Sequence, residues 1–291
     1  MSKLAIPRLV MRELATIRRA RRAPEPQAVM DDPQEVAAYT AAGRELAIMA
    51  PTYLFHTAQA CEILCPGDQV LDLACGPGTQ LAQLAGLNTD AEFIGVDLSL
   101  EMLQRAEQLV DERGLRNVTL AEEDITDLSA FADGSFDAIV SSMSLHHLPD
   151  VSILVRTLSE AVRLLRPGGG VYLADFGRLK SEESMRTFAY RDADRQPEAF
   201  TRDYFNSLRA AFSVDEVRAA AKEAGLPGRV FRMCPFAFMI AVKTEPRRLL
   251  PPELRLQLAR LRDSLPAQAR VDLANMIRCF RLGGFRTRLP R

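Results

Sequence analysis

No stretch of the 291 residues approaches the roughly 20 consecutive apolar side chains that a membrane-spanning helix requires. No apolar signal core follows the N-terminus either, so a cytoplasmic protein is expected. Disulfide pairs are not expected. The five cysteines are an odd number scattered at Cys61, Cys65, Cys75, Cys234 and Cys279, which suits a reducing compartment. Cys61 and Cys65 lie four apart on an expected helix, but without a nearby histidine pair they make a poor zinc site and are read as core; no metal is expected. Net charge is nearly absent as well, yet the balance hides an asymmetry. Residues 1–30 hold seven Lys or Arg against two acids and residues 244–291 eleven against four, so a chain of net charge −1 leaves −13 for its middle. Basic arms around an acidic body dock onto it, pair with another subunit, or reach for an anionic partner such as RNA, and the first is preferred.

What is present centres on VLDLACGPGTQ, Val70 to Gln80. Val70, Leu71 and Leu73 read as the end of a buried strand carrying one carboxylate, Asp72, that runs into Ala74, Gly76 and Gly78. Small residues let backbone N–H groups approach a ligand closely, and the Leu-rich segment after Thr79 opens a helix whose N-terminus faces it. A second apolar run, Phe93 to Val96, ends at Asp97, about 20 residues past the glycines, where such folds hold a ribose diol. The third glycine of the dinucleotide fingerprint is missing, because Leu81 stands in its place. Further strands are expected near Val118–Ala121, Phe136–Ser141 and Val171–Phe176, alternating with helices that begin after Ser99 and Asp150, which argues for a parallel sheet covered on both faces. Pro167 and the glycines after it are expected to end the second of those helices.

DLACGPGT, then GVDLS, EEDI, FDAIVSSMSLHHLPD and LRPGGG resemble, in order and spacing, the successive motifs of the class I S-adenosylmethionine-dependent methyltransferases of small-molecule type. The resemblance spans roughly residues 51–243. It implies an α/β, Rossmann-like seven-stranded sheet of order 3-2-1-4-5-7-6, with strand 7 antiparallel and helices on both faces. To this are added a basic helical arm over 1–30, a helical lid over 31–64, an acceptor-side insert over 177–212 and a basic helical arm over 244–291, with the methyltransferase domain running from 31 to 243.

The same resemblance assigns roles at the sheet edge. Asp72 would hold the amino end of S-adenosyl-L-methionine, with the Ala74, Gly76 and Gly78 backbone under its methionine portion. Asp97 would bind the ribose hydroxyls, Leu98 and Met102 the adenine face, Asp124 the adenine amino group with Ile125 beside it, and Ser141 would offer a carbonyl to the amino end. Each aspartate equally suits a turn cap; three carboxylates at three strand ends favour the cofactor, whose product would be S-adenosyl-L-homocysteine. Methyl transfer needs alignment, exclusion of water and, for a protonated acceptor, a base. His146 and His147 in SLHHLPD are candidates, as is Asp175 at the end of strand five, although a turn-stabilising role suits the tandem equally. Tyr39 and Tyr53 are lid candidates, with packing preferred; His56 reads as structural.

The acceptor side is defined partly by what it lacks. Where exocyclic-amine methyltransferases carry an N-P-P-Y type motif there stand Ser142, Met143, Ser144 and Leu145, and no cysteine nucleophile lies near that loop. Aromatic walls are expected from Phe176–Phe212, with Arg178, Arg186, Arg191 and Arg195 there as possible anchors for an acidic group. A small-molecule acceptor is the favoured reading; an RNA or protein substrate, or a non-catalytic nucleic-acid-binding module gripping through the arms, is the alternative. Leu4, Leu9, Val10, Leu14 and Ile17 suggest one amphipathic helix joined by a linker at Ala23–Gln27. Leu254, Leu258, Leu261 and Leu265 suggest another, whose stripe would seek a partner surface, so a homo-oligomer is possible. The last residues, RLGGFRTRLPR, read as a flexible basic tail.

Overall fold

The computed structural model describes residues 5–287 apart from 18, 28 and 47. Leu4 therefore lies outside the described residues. The chain runs α1 (Ala5–Ala15), α2 (Pro33–Arg44), α3 (Ala50–Cys61), β1 (Gln69–Leu73), α4 (Thr79–Leu87), β2 (Glu92–Asp97), α5 (Leu100–Glu112), β3 (Val118–Glu122), β4 (Phe136–Ser142), α6 (Val151–Leu164), β5 (Leu165–Phe176), α7 (Glu182–Ala189), α8 (Glu198–Ala210), α9 (Val214–Glu223), β6 (Arg229–Arg232), β7 (Met239–Lys243), α10 (Pro252–Ser264) and α11 (Ala267–Leu282). The strands form one seven-stranded sheet of order 3-2-1-4-5-7-6. All pairings are parallel except those of β7, which is antiparallel to β5 and β6.

Strand periodicity builds two cores. Along β5, Tyr172 and Ala174 point into one apolar cluster while Val171 and Leu173 point into the other, as a period of two requires. Helices start where side chains satisfy their first amides: Asp32 caps α2, Ser99 caps α5, Asp150 caps α6, and Ser213 with Glu216 makes a capping box on α9. The glycines after Pro167 do not simply stop a helix. They lie inside β5, where a Cβ on Gly170 would sit 2.6 Å from the Ile63 carbonyl oxygen and one on Gly169 2.8 Å from that of Asp137. Glycine there permits close approach of neighbouring backbone.

Both arms are docked. Helix α1 buries Leu9 and Glu13, but Leu14 and Ile17 are exposed, so the expected apolar stripe holds only in part. Glu13 accepts from the Lys180 and Ser181 amides. In the C-terminal arm, Leu254, Leu258, Leu273 and Phe280 are buried against the chain's own core, so the stripe expected to seek a partner is already covered. The segment read as a loose tail is partly core: Phe285 is buried against Phe55, Phe231 and Phe280. Among the described residues no helix is long and apolar enough to cross a membrane.

Candidate active site

The C-terminal ends of β1, β2 and β4 open on a cavity of about 360 Å³. Its floor is the turn after β1. Ala74, Gly76 and Gly78 all take left-handed backbone, with φ of 54°, 55° and 75°. A Cβ on Gly76 would project into open space, whereas one on Gly78 would lie 2.8 Å from the Ala106 side chain. Gly76 thus leaves room for a ligand, and Gly78 lets α4 pack on α5.

Among the described residues four carboxylates line this cavity, Asp72, Asp97, Glu123 and Asp124, and no Lys or Arg does. Asp97 is held by the turn: Oδ2 accepts from the Gly76 amide at 2.8 Å and Oδ1 from the Ser99 amide at 2.9 Å. Asp72 accepts no hydrogen bond among the described residues, and burial, then the negative Asp97, pushes its pKa up to about 8. A buried carboxylate without a donor is costly unless a ligand supplies the positive charge. An anionic pyrophosphate does not fit such a lining; a cationic ligand does.

Most residues expected at the cofactor meet here. Asp72, Ala74, Gly76, Asp97, Leu98, Met102, Asp124 and Ile125 line the cavity; Gly78 and Ser141 do not. Asp124 Oδ1 also accepts from the Thr126 amide at 2.8 Å, so it caps its own turn. Ser141 Oγ is spent on the Leu73 carbonyl at 2.8 Å and on Ser144 Oγ at 2.7 Å. Tyr39 and Tyr53 both reach the cavity, and Gly43 makes room for Tyr53, whose hydroxyl lies 3.1 Å from where a Cβ would stand. Arg44 of α2 donates to the Pro77 and Arg105 carbonyls, which fastens that helix to the turn. His56 is structural: its Nδ1 lies 2.6 Å from the Tyr172 hydroxyl, and burial drives its pKa down to about 3.

A profile of the family described as "Methyltransferase domain" matches residues 70–169, the span that supplies the cavity floor and most of its walls. The chain carries a methyltransferase domain. A 27-O-demethylrifamycin SV methyltransferase of Amycolatopsis mediterranei is 33% identical over 165 residues, which is 55% of this chain and 54% of that protein. A ubiquinone/menaquinone biosynthesis C-methyltransferase of Bdellovibrio bacteriovorus is 36% identical over 113 residues, 39% of this chain and 46% of that one. The chain thus spans about half the length of these curated relatives. The solved structure of a SAM-dependent methyltransferase from Aquifex aeolicus superposes with a TM-score of 0.52 over 74% of this chain and 98% of that one, at 19% identity, a likeness of fold. S-adenosylmethionine is the cofactor of this family, and the cationic preference and the open space at Gly76 fit it.

In the methyltransferase domain the tandem histidines part company. His147 lines the cavity, whereas His146 and Asp175 stand behind it. Asp175 accepts from the His146 amide and lies 2.7 Å from its Nδ1. Burial opposes a charge on His146, but Asp175 and Glu25 outweigh it and raise the pKa. Glu25 is the residue that the sequence did not single out. It belongs to the supposed linker, which instead packs on the domain: Oε2 lies 2.5 Å from His147 Nδ1, and Ser207 Oγ donates to Oε1 at 2.8 Å. Although burial disfavours its charge, the two histidines and Ser207 lower its pKa. The signal was slight, an acid between Pro24 and Pro26 in an Arg-rich arm.

The insert at 177–212 contributes no described residue to the cavity lining. Its aromatic rings pack behind the site, Phe176 on Tyr204 at 5.4 Å and Phe188 on Phe238 at 4.1 Å. Its arginines are engaged elsewhere: Arg178 with Glu216, Arg186 with Glu182, Arg191 with Asp272 and Arg195 with Asp192.

Proposed function

We propose that the protein transfers a methyl group from S-adenosylmethionine to a small-molecule acceptor. One observation carries this reading: a walled cavity lined by carboxylates, and among the described residues by no Lys or Arg, runs from the glycine turn to His147. S-adenosylmethionine, when bound, supplies a methyl on a sulfonium; the acceptor bonds to that carbon as the carbon–sulfur bond breaks and S-adenosylhomocysteine leaves. Asp72 offers charge to the ligand's amino end, Asp97 offers hydrogen-bond acceptance to its ribose, and the exposed Leu98 with Met102 offers an apolar face to its adenine. Tyr39, Tyr53 and the segment carrying Val29 and Met30 exclude water, which keeps the electrophile from solvent.

His147 is the base in this reading, since it is the one candidate in the cavity wall. A hydroxyl or other protonated acceptor needs such a group; an acceptor with a free lone pair does not. Relatives that act on rifamycin and on quinone precursors support a small organic acceptor. Arginines in the arms that an RNA would require are partly spent internally: Arg22 binds the carbonyls of His146, Leu148 and Ala210, and Arg247 binds Asp68. The test is transfer of isotopic methyl into a cell extract separated into small-molecule, RNA and protein fractions. Label in the small-molecule fraction is expected; label confined to RNA or protein would refute the reading.

A further inference from the structure

The N-terminal segment is built into the loop after β4. The Ala20 amide donates to the Lys180 carbonyl at 2.8 Å and the Ala23 amide to that of Arg209 at 3.0 Å. Between them Arg22 spreads its guanidinium over carbonyls of the histidine loop, His146 at 3.0 Å and Leu148 and Pro149 at 2.5 Å, and lies 3.9 Å above the Phe212 ring. Three residues on, Glu25 reaches the histidines with a side chain only 6% exposed. A buried carboxylate there has a cost in desolvation that simple anchoring does not require, because Arg22 already anchors the segment.

We infer that this segment is part of the catalytic apparatus: Glu25 holds the Nδ1–H of His147 and so leaves Nε2 as the proton acceptor on the cavity side. The inference rests on the methyl-transfer reading and deepens it. Glu25 is a positioning residue, since it touches His147 and does not line the cavity. Ser207 fixes one oxygen of Glu25, and its other oxygen meets the imidazole. His147 Nδ1 is buried and no aligned hydrogen bond reaches it, so the carboxylate at 2.5 Å acts on it as an ion-pair partner; a proton held on Nδ1 by that charge leaves the lone pair of the neutral ring on Nε2. The proton leaving the acceptor's hydroxyl then passes to Nε2 as that oxygen takes the methyl group, and onward to solvent through a side chain 26% exposed. The acceptor class that follows is a hydroxyl, phenolic or enolic compound.

Other charges face this pair from each side. Asp203 of α8 is pushed up to about 6 by burial and by Glu25, with both histidines opposing, and Glu35 of α2 acts on it in turn. Asp97 at the end of β2 also feels His147, and Asp175 acts through His146. The ligand atoms of Glu25, His146 and His147 lie within 4.8 Å of one another, which is also the spacing of a metal site, so the test measures metal content as well.

The chain holds only three histidines, so the full-length protein labelled with ring nitrogen-15 histidine gives three imidazole spin systems, assigned with His147→Asn and His56→Gln. Long-range proton–nitrogen spectra report the tautomer of each ring with no acceptor or cofactor present. Expected is the Nδ1–H tautomer of His147 in the native protein. In a folded Glu25→Gln that tautomer preference should be lost, and Glu25→Asp should retain it. An Nε2–H tautomer in the native protein overturns the inference even if Glu25→Gln fails to fold. So does an unchanged tautomer preference in a folded Glu25→Gln, or one stoichiometric metal ion per chain. The isotopic-methyl experiment fails or succeeds independently, so loss of one reading is distinguishable from loss of the other.

Discussion

Burial and the neighbouring Asp97 raise the Asp72 pKa to about 8, so its carboxyl holds a proton near neutral pH when no positive charge faces it. A cationic ligand favours the ionised form, so binding must expel that proton. Affinity for S-adenosylhomocysteine, which keeps the ammonium, should rise with pH by up to about tenfold per unit below pH 8. Calorimetry at pH 7 in buffers of different ionisation enthalpy should register close to one proton released, and Asp72→Asn should abolish the slope. His56 acts on stability instead. Its folded pKa is depressed from 6.5 to about 3, so below pH 6.5 the unfolded chain takes up a proton that the native state refuses. The contribution is complete above pH 6.5 and is lost as pH falls toward 3, by about 1.4 kcal/mol per unit. His56→Gln should flatten the dependence of melting temperature on pH between 6 and 4. At Ala74, φ of 54° costs a residue with a Cβ about 1 kcal/mol or more. Ala74→Gly should therefore raise thermal stability by up to about 1 kcal/mol, net of glycine's larger loss of chain entropy.

Helix α3 shows how an element acquires its environment. Its residues from Tyr53 to Cys61 are buried on every side, which a helix tolerates only when neighbours enclose it. The sheet covers one face through Tyr172, and α4, α10 and α11 cover the others. The Phe55 and Phe280 rings stack with centroids 4.9 Å apart, and neither has measurable exposure. Phe280→Ala should destabilise the protein by about 3–5 kcal/mol, read from the urea midpoint at unchanged slope. The short turn Leu145–His147 after β4 behaves similarly: its geometry depends on Arg22 and Glu25 from the arm and on Asp175 from β5.

At the scale of the molecule, the opposite charges of arms and body are used for docking. Arg247 of the C-terminal arm pairs with Asp68, and Arg12 and Arg19 of the N-terminal arm pair with Glu183 and Asp215. A chain ending at Lys243 loses α10, α11 and Phe285 together and uncovers the apolar face of α3. It should expose hydrophobic surface and lose fixed tertiary packing, visible as dye binding and a weakened near-ultraviolet circular dichroism signal.

The glycine turn and the carboxylates at the ends of β1, β2 and the loop after β3 were legible in the sequence because they depend on local rules, whereas the strand order followed from the resemblance of the successive motifs to the methyltransferases. Period-two burial marks strands, positive φ selects small residues, and a fixed strand-to-strand interval places Asp72, Asp97 and Asp124 at one edge. The functional split between His146 and His147 was not legible, since adjacent residues of the same type differ only in what surrounds them. Nor was Glu25: its partners His147 and Ser207 lie more than 100 residues away, and no spacing rule links an extended N-terminal segment to a loop after the fourth strand. The sequence by itself determined the strands, the glycine turn and the carboxylates at their ends through short-range geometry, and through its ordered motifs the family whose fold the sheet follows. Tertiary packing alone decided which histidine faces the cavity and which carboxylate holds it, because those contacts exist only once distant segments are brought together.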